Sequence, residues 1–177
     1  MKTLWDFYQQ LMKPNKEKSV SSTGKGQSAL ECENIYYEIE DLLCFERAIR
    51  FCYASLELMI HNQAIRRQCQ NFYQRSLIHE EELENILTEV VNTNIKIQKG
   101  YETYSLPAED LNIESILSLG LAVTEHRLNI YQELRNCLPM KSRILLTSLI
   151  AHVGEEIKFF QREKEMVTVE SILYSLG

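Results

Sequence analysis

The sequence predicts an all-α protein, and three observations carry the prediction. Glycine (6) and proline (3) are scarce among the 177 residues, which leaves too few turn formers for a β fold. Apolar residues recur in alternating steps of three and four from about Ile35 onward, the period of helices that pack along one face. Hydrophobic residues make up 45% of the chain and charged residues 25%, the balance of a soluble globular domain with a sizeable core.

Residues 1–30 form an N-terminal unit. Leu4, Trp5, Tyr8, Leu11 and Met12 lie at amphipathic spacing in a short helical head. The following KPNKEKSVSSTGKGQSA has no apolar period and reads as a linker. Residues 31–177 then form a bundle. In its first helix Ile35, Ile39, Leu42, Glu46, Ile49, Tyr53, Leu56 and Ile60 define one seam, and HNQ at 61–63 supplies a tight break with His61 facing solvent. The second helix runs from about Ala64 to Ile95. Its seam can be drawn through Cys69, Tyr73, Ser76, Glu80, Leu83, Leu87 and Val90, or through Phe72, Ser76, His79, Leu83, Ile86 and Val90.

The stretch KGYETYSLPAEDL, about 99 to 111, holds Gly100 and Pro107 and is long enough for a crossover along the bundle. Asn112 is an N-cap candidate for a third helix to about Asn136, where Leu121, Glu125 and Leu128 compete with Leu119, Val123, His126 and Ile130 for the inner face. Pro139 separates it from a fourth helix, about Met140 to Lys164, with a seam through Leu146, Leu149, Val153, Glu156 and Phe160. ESILYSLG is expected to add a short C-terminal helix. The implied architecture is two antiparallel helical hairpins joined by a long crossover.

Charge and cysteine content exclude several classes. A net charge of −6 opposes a sequence-independent grip on nucleic acid. No stretch approaches a membrane span, and MKTLWDFYQQLMK lacks the apolar core of a signal peptide, so the expected compartment is the cytoplasm. The five cysteines form no C-x-x-C pair, so no thiolate metal site or disulfide framework is signalled.

The chemistry-bearing pattern is a set of carboxylates and imidazoles in apolar frames: Glu46, His79 or Glu80, Glu125, and His152 with Glu156. A buried carboxylate needs a cation, a proton or a hydrogen-bonded partner. A metal satisfies that need, and so does a salt bridge from Arg47 or Arg50 to Glu46, or a self-contained His152–Glu156 pair. Glu81, Glu82 and Glu84 in SLIHEEELENIL are expected to face water.

FERAIRFCY and TEHRLNIY, as first helices of two hairpins, with LIHEEELENIL and LIAHVGEEIKFF as second helices, make residues 35–165 resemble the ferritin-like superfamily and its rubrerythrin-like four-helix bundles. The resemblance implies one Glu from each first helix and Glu-x-x-His from each second. By position it places ligands at Glu46, Glu125 and Glu80, with Leu83 where a histidine would stand and Val153 and Glu156 in the fourth helix. His79 and His152 are offered as substitutes one turn away. It further implies a non-standard mononuclear or dinuclear iron or manganese site acting in oxidation, peroxide removal or iron handling, with an external electron donor. The alternative is a metal-free bundle serving as a structural or protein-interaction module, its working surface the aromatic head (Trp5, Phe7, Tyr8) or a homodimer face.

Overall fold

A computed structural model describes residues 27–91 and 112–175, with side chains for 35–89 and 112–169. These residues form four helices: α1 (Gln27–Met59), α2 (Gln63–Val91), α3 (Ile113–Cys137) and α4 (Met140–Ser175). No strand occurs among the described residues. The N-terminal head, most of the linker and the expected crossover lie outside them.

Each boundary has a local cause. Helix α1 ends at a three-residue break, Ile60 to Asn62, after which the Asn62 side chain accepts from the amides of Ala64 (2.9 Å) and Ile65 (3.3 Å). That is an N-cap satisfying donors no helical carbonyl can reach. Helix α3 starts on a capping box, in which the Asn112 side chain accepts from the Ser115 amide at 2.8 Å and Ser115 Oγ accepts from the Asn112 amide at 3.2 Å. It stops because Leu138 precedes Pro139 and takes an extended conformation (φ −93, ψ 157).

Cross-helix contacts fix the directions. Ser76 meets Glu46 while Gln70 meets Glu57, so α1 and α2 are antiparallel. Arg127 meets Glu156 and Gly120 lies against Phe160, so α3 and α4 are antiparallel. Tyr131 meets Glu46 and Glu133 lies near Glu38, so α1 and α3 are antiparallel as well. Contacts of Glu89 with Ser142, Arg75 with Glu155 and Gln68 with Arg162 set α2 antiparallel to α4. Helices α2 and α3 therefore run the same way.

The core follows the expected seams in α1 and α4. Ile39, Leu42, Ile49, Tyr53 and Leu56 are fully buried, as are Leu146, Val153 and Phe160. In α2 the inner face is the second of the two seams, with Phe72, Ser76, His79, Leu83 and Ile86 buried; the Val90 side chain lies outside the described set. Tyr53 stacks on Phe160 (5.5 Å between centroids) and packs against Phe72 (5.4 Å), while Phe159 meets Phe72 edge-on. Gly120 allows this packing, because a Cβ there would enter the Phe160 ring.

Two expectations need correction. Helix α1 begins at Gln27, eight residues before the first seam residue, inside the stretch assigned to linker. Helix α4 is one continuous rod to Ser175 instead of a helix to Lys164 followed by a short C-terminal one; between Lys164 and Ser175 there is no Gly or Pro to break it. No helix among the described residues is long and apolar enough to cross a membrane.

Candidate functional site

The four helices deliver a polar cluster to the middle of the bundle. Helix α1 gives Glu46, α2 gives Ser76 and His79, α3 gives Arg127 and Tyr131, and α4 gives Glu156. All six side chains are fully buried. Arg127 is the hub: its NH2 donates to Glu46 Oε1 at 2.5 Å and its NH1 to Glu156 Oε2 at 2.8 Å. Tyr131 OH donates to Glu46 Oε1 (2.9 Å) and Ser76 Oγ to Glu46 Oε2 (2.5 Å), so both oxygens of Glu46 are occupied.

His79 completes the inner shell. Its Nδ1 stands 3.4 Å from Glu46 Oε1 and 3.4 Å from Arg127 NH2, and its Nε2 lies 3.1 Å from His152 Nδ1. The ionised Glu46 oxygen favours the proton on Nδ1, which leaves Nε2 to accept from His152. His152 is half-buried, next to the Arg75–Glu155 pair (2.6 Å). Burial, Arg75 and His79 together lower its pKa.

Electrostatics explain the order. Burial alone would push the Glu46 carboxyl up, but Arg127, His79 and Ser76 hold it down to about 2. Burial opposes the charge on Arg127, yet Glu156 and Glu46 raise its pKa well above the usual value, so the guanidinium stays charged. Burial together with Glu156 raises the Tyr53 phenol, and burial together with Glu46 raises that of Tyr131. Tyr53 OH, Arg127 Nε and Glu156 Oε1 are buried without a hydrogen bond of regular geometry, though Tyr53 and Glu156 lie close enough to each other for the carboxylate to raise the phenol.

The candidate residues separate into groups. Glu46, His79, Glu156 and, at the edge, His152 come together. Glu80 does not join them; it is clamped on the side of the α1–α2 hairpin by Arg47 Nε (3.0 Å) and NH2 (2.7 Å) and by Arg50 NH2 (2.5 Å). The salt bridge weighed for Glu46 with Arg47 or Arg50 is thus made by Glu80. Glu125 is exposed on α3, and its neighbour His126 is half-buried, edge-on to Phe45 at 5.0 Å.

The residue missed was Arg127. Stepping back from Leu134 through Tyr131, Arg127, Val123 and Gly120 gives intervals of three, four, four and three, a helical seam; every residue on it is buried. The two apolar lines through Glu125 and through His126 obscure it in the sequence.

The donor set does not fit an iron or manganese ion. The space where Glu46 and Glu156 converge already holds a permanent organic cation that uses an oxygen of each. A divalent ion beside it would face strong repulsion in a low-dielectric core. Among the described residues no three His, Cys, Asp or Glu side chains are arranged to hold a metal. In comparisons with known proteins, no family model, curated protein or solved structure matches this chain.

Proposed function

We propose that this chain is a metal-free bundle of ferritin-like type that serves as a structural or protein-interaction module. The observation that carries this reading is the Arg127 guanidinium, hydrogen-bonded to both Glu46 and Glu156 at full burial. It supplies in covalent form the positive charge a metal would bring, and its cluster is sealed from solvent. Any working contact with a partner then belongs to the surface.

The parallel course of α2 and α3 supports the ferritin-like part, since a connection along the bundle is needed to join them and a tight hairpin would make them antiparallel. The inward frame supports the metal-free part. At the level of Glu46 and Arg127 the buried pair three residues apart is Ser76 and His79 on α2, one turn before Glu80 and Leu83, and Val153 and Glu156 on α4. Against one Glu and one Glu-x-x-His per hairpin, this frame keeps Glu46 and His79, has Glu156 in a histidine place, and meets Glu46 and Glu156 from α3 with Arg127 while Glu125 is exposed.

Metal analysis of the full chain purified without chelator tests the reading. The expected result is less than about a tenth of an equivalent of iron, manganese or zinc, unchanged after anaerobic exposure to Fe(II). Near-stoichiometric metal that disappears in Glu46→Ala and Glu156→Ala would overturn it in favour of the carboxylate metal site.

A further inference from the structure

The bundle centre differs from an ordinary buried salt bridge in how the arginine is held. Both strong contacts come from the terminal nitrogens, NH1 to Glu156 and NH2 to Glu46, whereas Nε, the nitrogen that ties the guanidinium to the chain, has no partner. The elements around it each contribute a group: Glu46 and Tyr53 from α1, His79 from α2, Tyr131 from α3 itself, and Glu156 from α4. The second oxygen of Glu156, Oε1, is also buried, and this carboxylate lies close enough to Tyr53 to raise its phenol. Recognition therefore falls on the part of arginine that a free guanidinium ion also has.

We propose that the centre of the bundle is a binding cavity for a planar guanidinium cation, filled in the native chain by Arg127 and open to a free guanidinium compound when that side chain is cut back. The inference rests on the metal-free reading of the cluster and extends it by naming the class of cation the cavity selects. A planar donor fork matches two carboxylates approached at hydrogen-bond distance. A metal ion would instead require Glu46, Glu156 and His79 to close to about 2.1 Å from a common point. Two carboxylates facing one guanidinium also leave the cavity anionic, which excludes a neutral planar molecule of the same shape.

Thermal unfolding of full-length Arg127→Ala tests this with methylguanidinium at about 10 mM, against sodium chloride at the same ionic strength, urea as the neutral isostere, and manganese chloride. Methylguanidinium alone should raise the midpoint of Arg127→Ala by roughly 3 °C, saturably, the shift that binding at tenfold excess over Kd gives a chain of this size. It should leave the wild-type chain unmoved. No selective shift, or a shift produced by manganese and not by methylguanidinium, overturns the proposal. If Arg127→Ala fails to fold in every condition, the comparison of Arg127→Lys with Arg127→Met decides: the lysine variant should be the more stable, and a methionine variant equal to it or better overturns a cation cavity. The metal content of the wild-type chain is measured apart from these variants, so failure here is distinguishable from failure of the metal-free reading.

Discussion

Glu46 shows what the cluster does for a single residue. Its carboxyl has an ordinary value of 4.5 and is held at about 2 in the folded chain, against burial, by Arg127, His79 and Ser76. Because the folded value is the lower one, the unfolded chain binds the proton first. The stabilisation is complete above pH 4.5 and is lost as pH falls from 4.5 toward 2. A depression of this size corresponds to about 3 kcal/mol. Denaturant titrations of the wild-type chain at pH 6, 4 and 3 should show stability falling with pH, and Glu46→Gln should be less stable at pH 6 and flatter over the same range. An equal acid slope in both chains would mean that other carboxylates carry it. That Glu46 is buried was legible in the sequence, because it sits mid-seam between Leu42 and Ile49. Its partner was not legible. Periodicity reports which residues face inward, but not which of two nearby cations crosses to which acid, and Arg47 and Arg50 turn aside to Glu80.

At the scale of elements, the apolar seams of α1 and α4 were readable because each offers one stripe of large aliphatic and aromatic residues. Helix α3 offers too many apolar positions for one line to stand out, and only the structure selects the face bearing Gly120, Val123, Arg127 and Tyr131. Gly120 is the point of closest approach on that face. Phe160 lies over it, fully buried and stacked on Tyr53, with Phe159 against its edge, so the ring has little room to move. Gly120→Ala gains about 1 kcal/mol in helix propensity but forces the ring out of its packing, which costs about 1–3 kcal/mol. The net expectation is a loss of about 1 kcal/mol and a drop of roughly 3 °C in Tm. Adding Phe160→Leu to Gly120→Ala should cost less than the two separate losses summed, since the second change removes the clash created by the first. Strict additivity would show that the contact does not govern the approach of α3 to α4.

For the whole molecule, the cluster ties four helices together at one level, and its members are interdependent. Glu46, Arg127 and Glu156 come from three helices, and Arg127 is the group that joins the other two. Removing the arginine alone leaves two buried carboxylates without their cation, a change expected to cost about 3–5 kcal/mol. Removing all three charges removes the desolvation cost along with the attraction, so Glu46→Gln/Arg127→Met/Glu156→Gln should recover at least half of the loss seen in Arg127→Met. The amide introduced by Glu46→Gln keeps one acceptor oxygen for the Tyr131 and Ser76 hydroxyls and offers its NH2 as a donor to the other, and the methionine fills most of the arginine volume. Chemical denaturation of the four chains, wild type, Arg127→Met, the double glutamine variant and the triple variant, gives the coupling directly. If the triple variant is less stable than Arg127→Met, the three residues do not act as one electrostatic unit. If it recovers stability but loses the sharp dispersion of its amide spectrum, the charges specify how the four helices align more than they hold them together. That outcome fits their placement, because a one-turn slip of α3 would carry Arg127 away from both carboxylates, and a one-turn slip of α1 or α4 would take one of them from it.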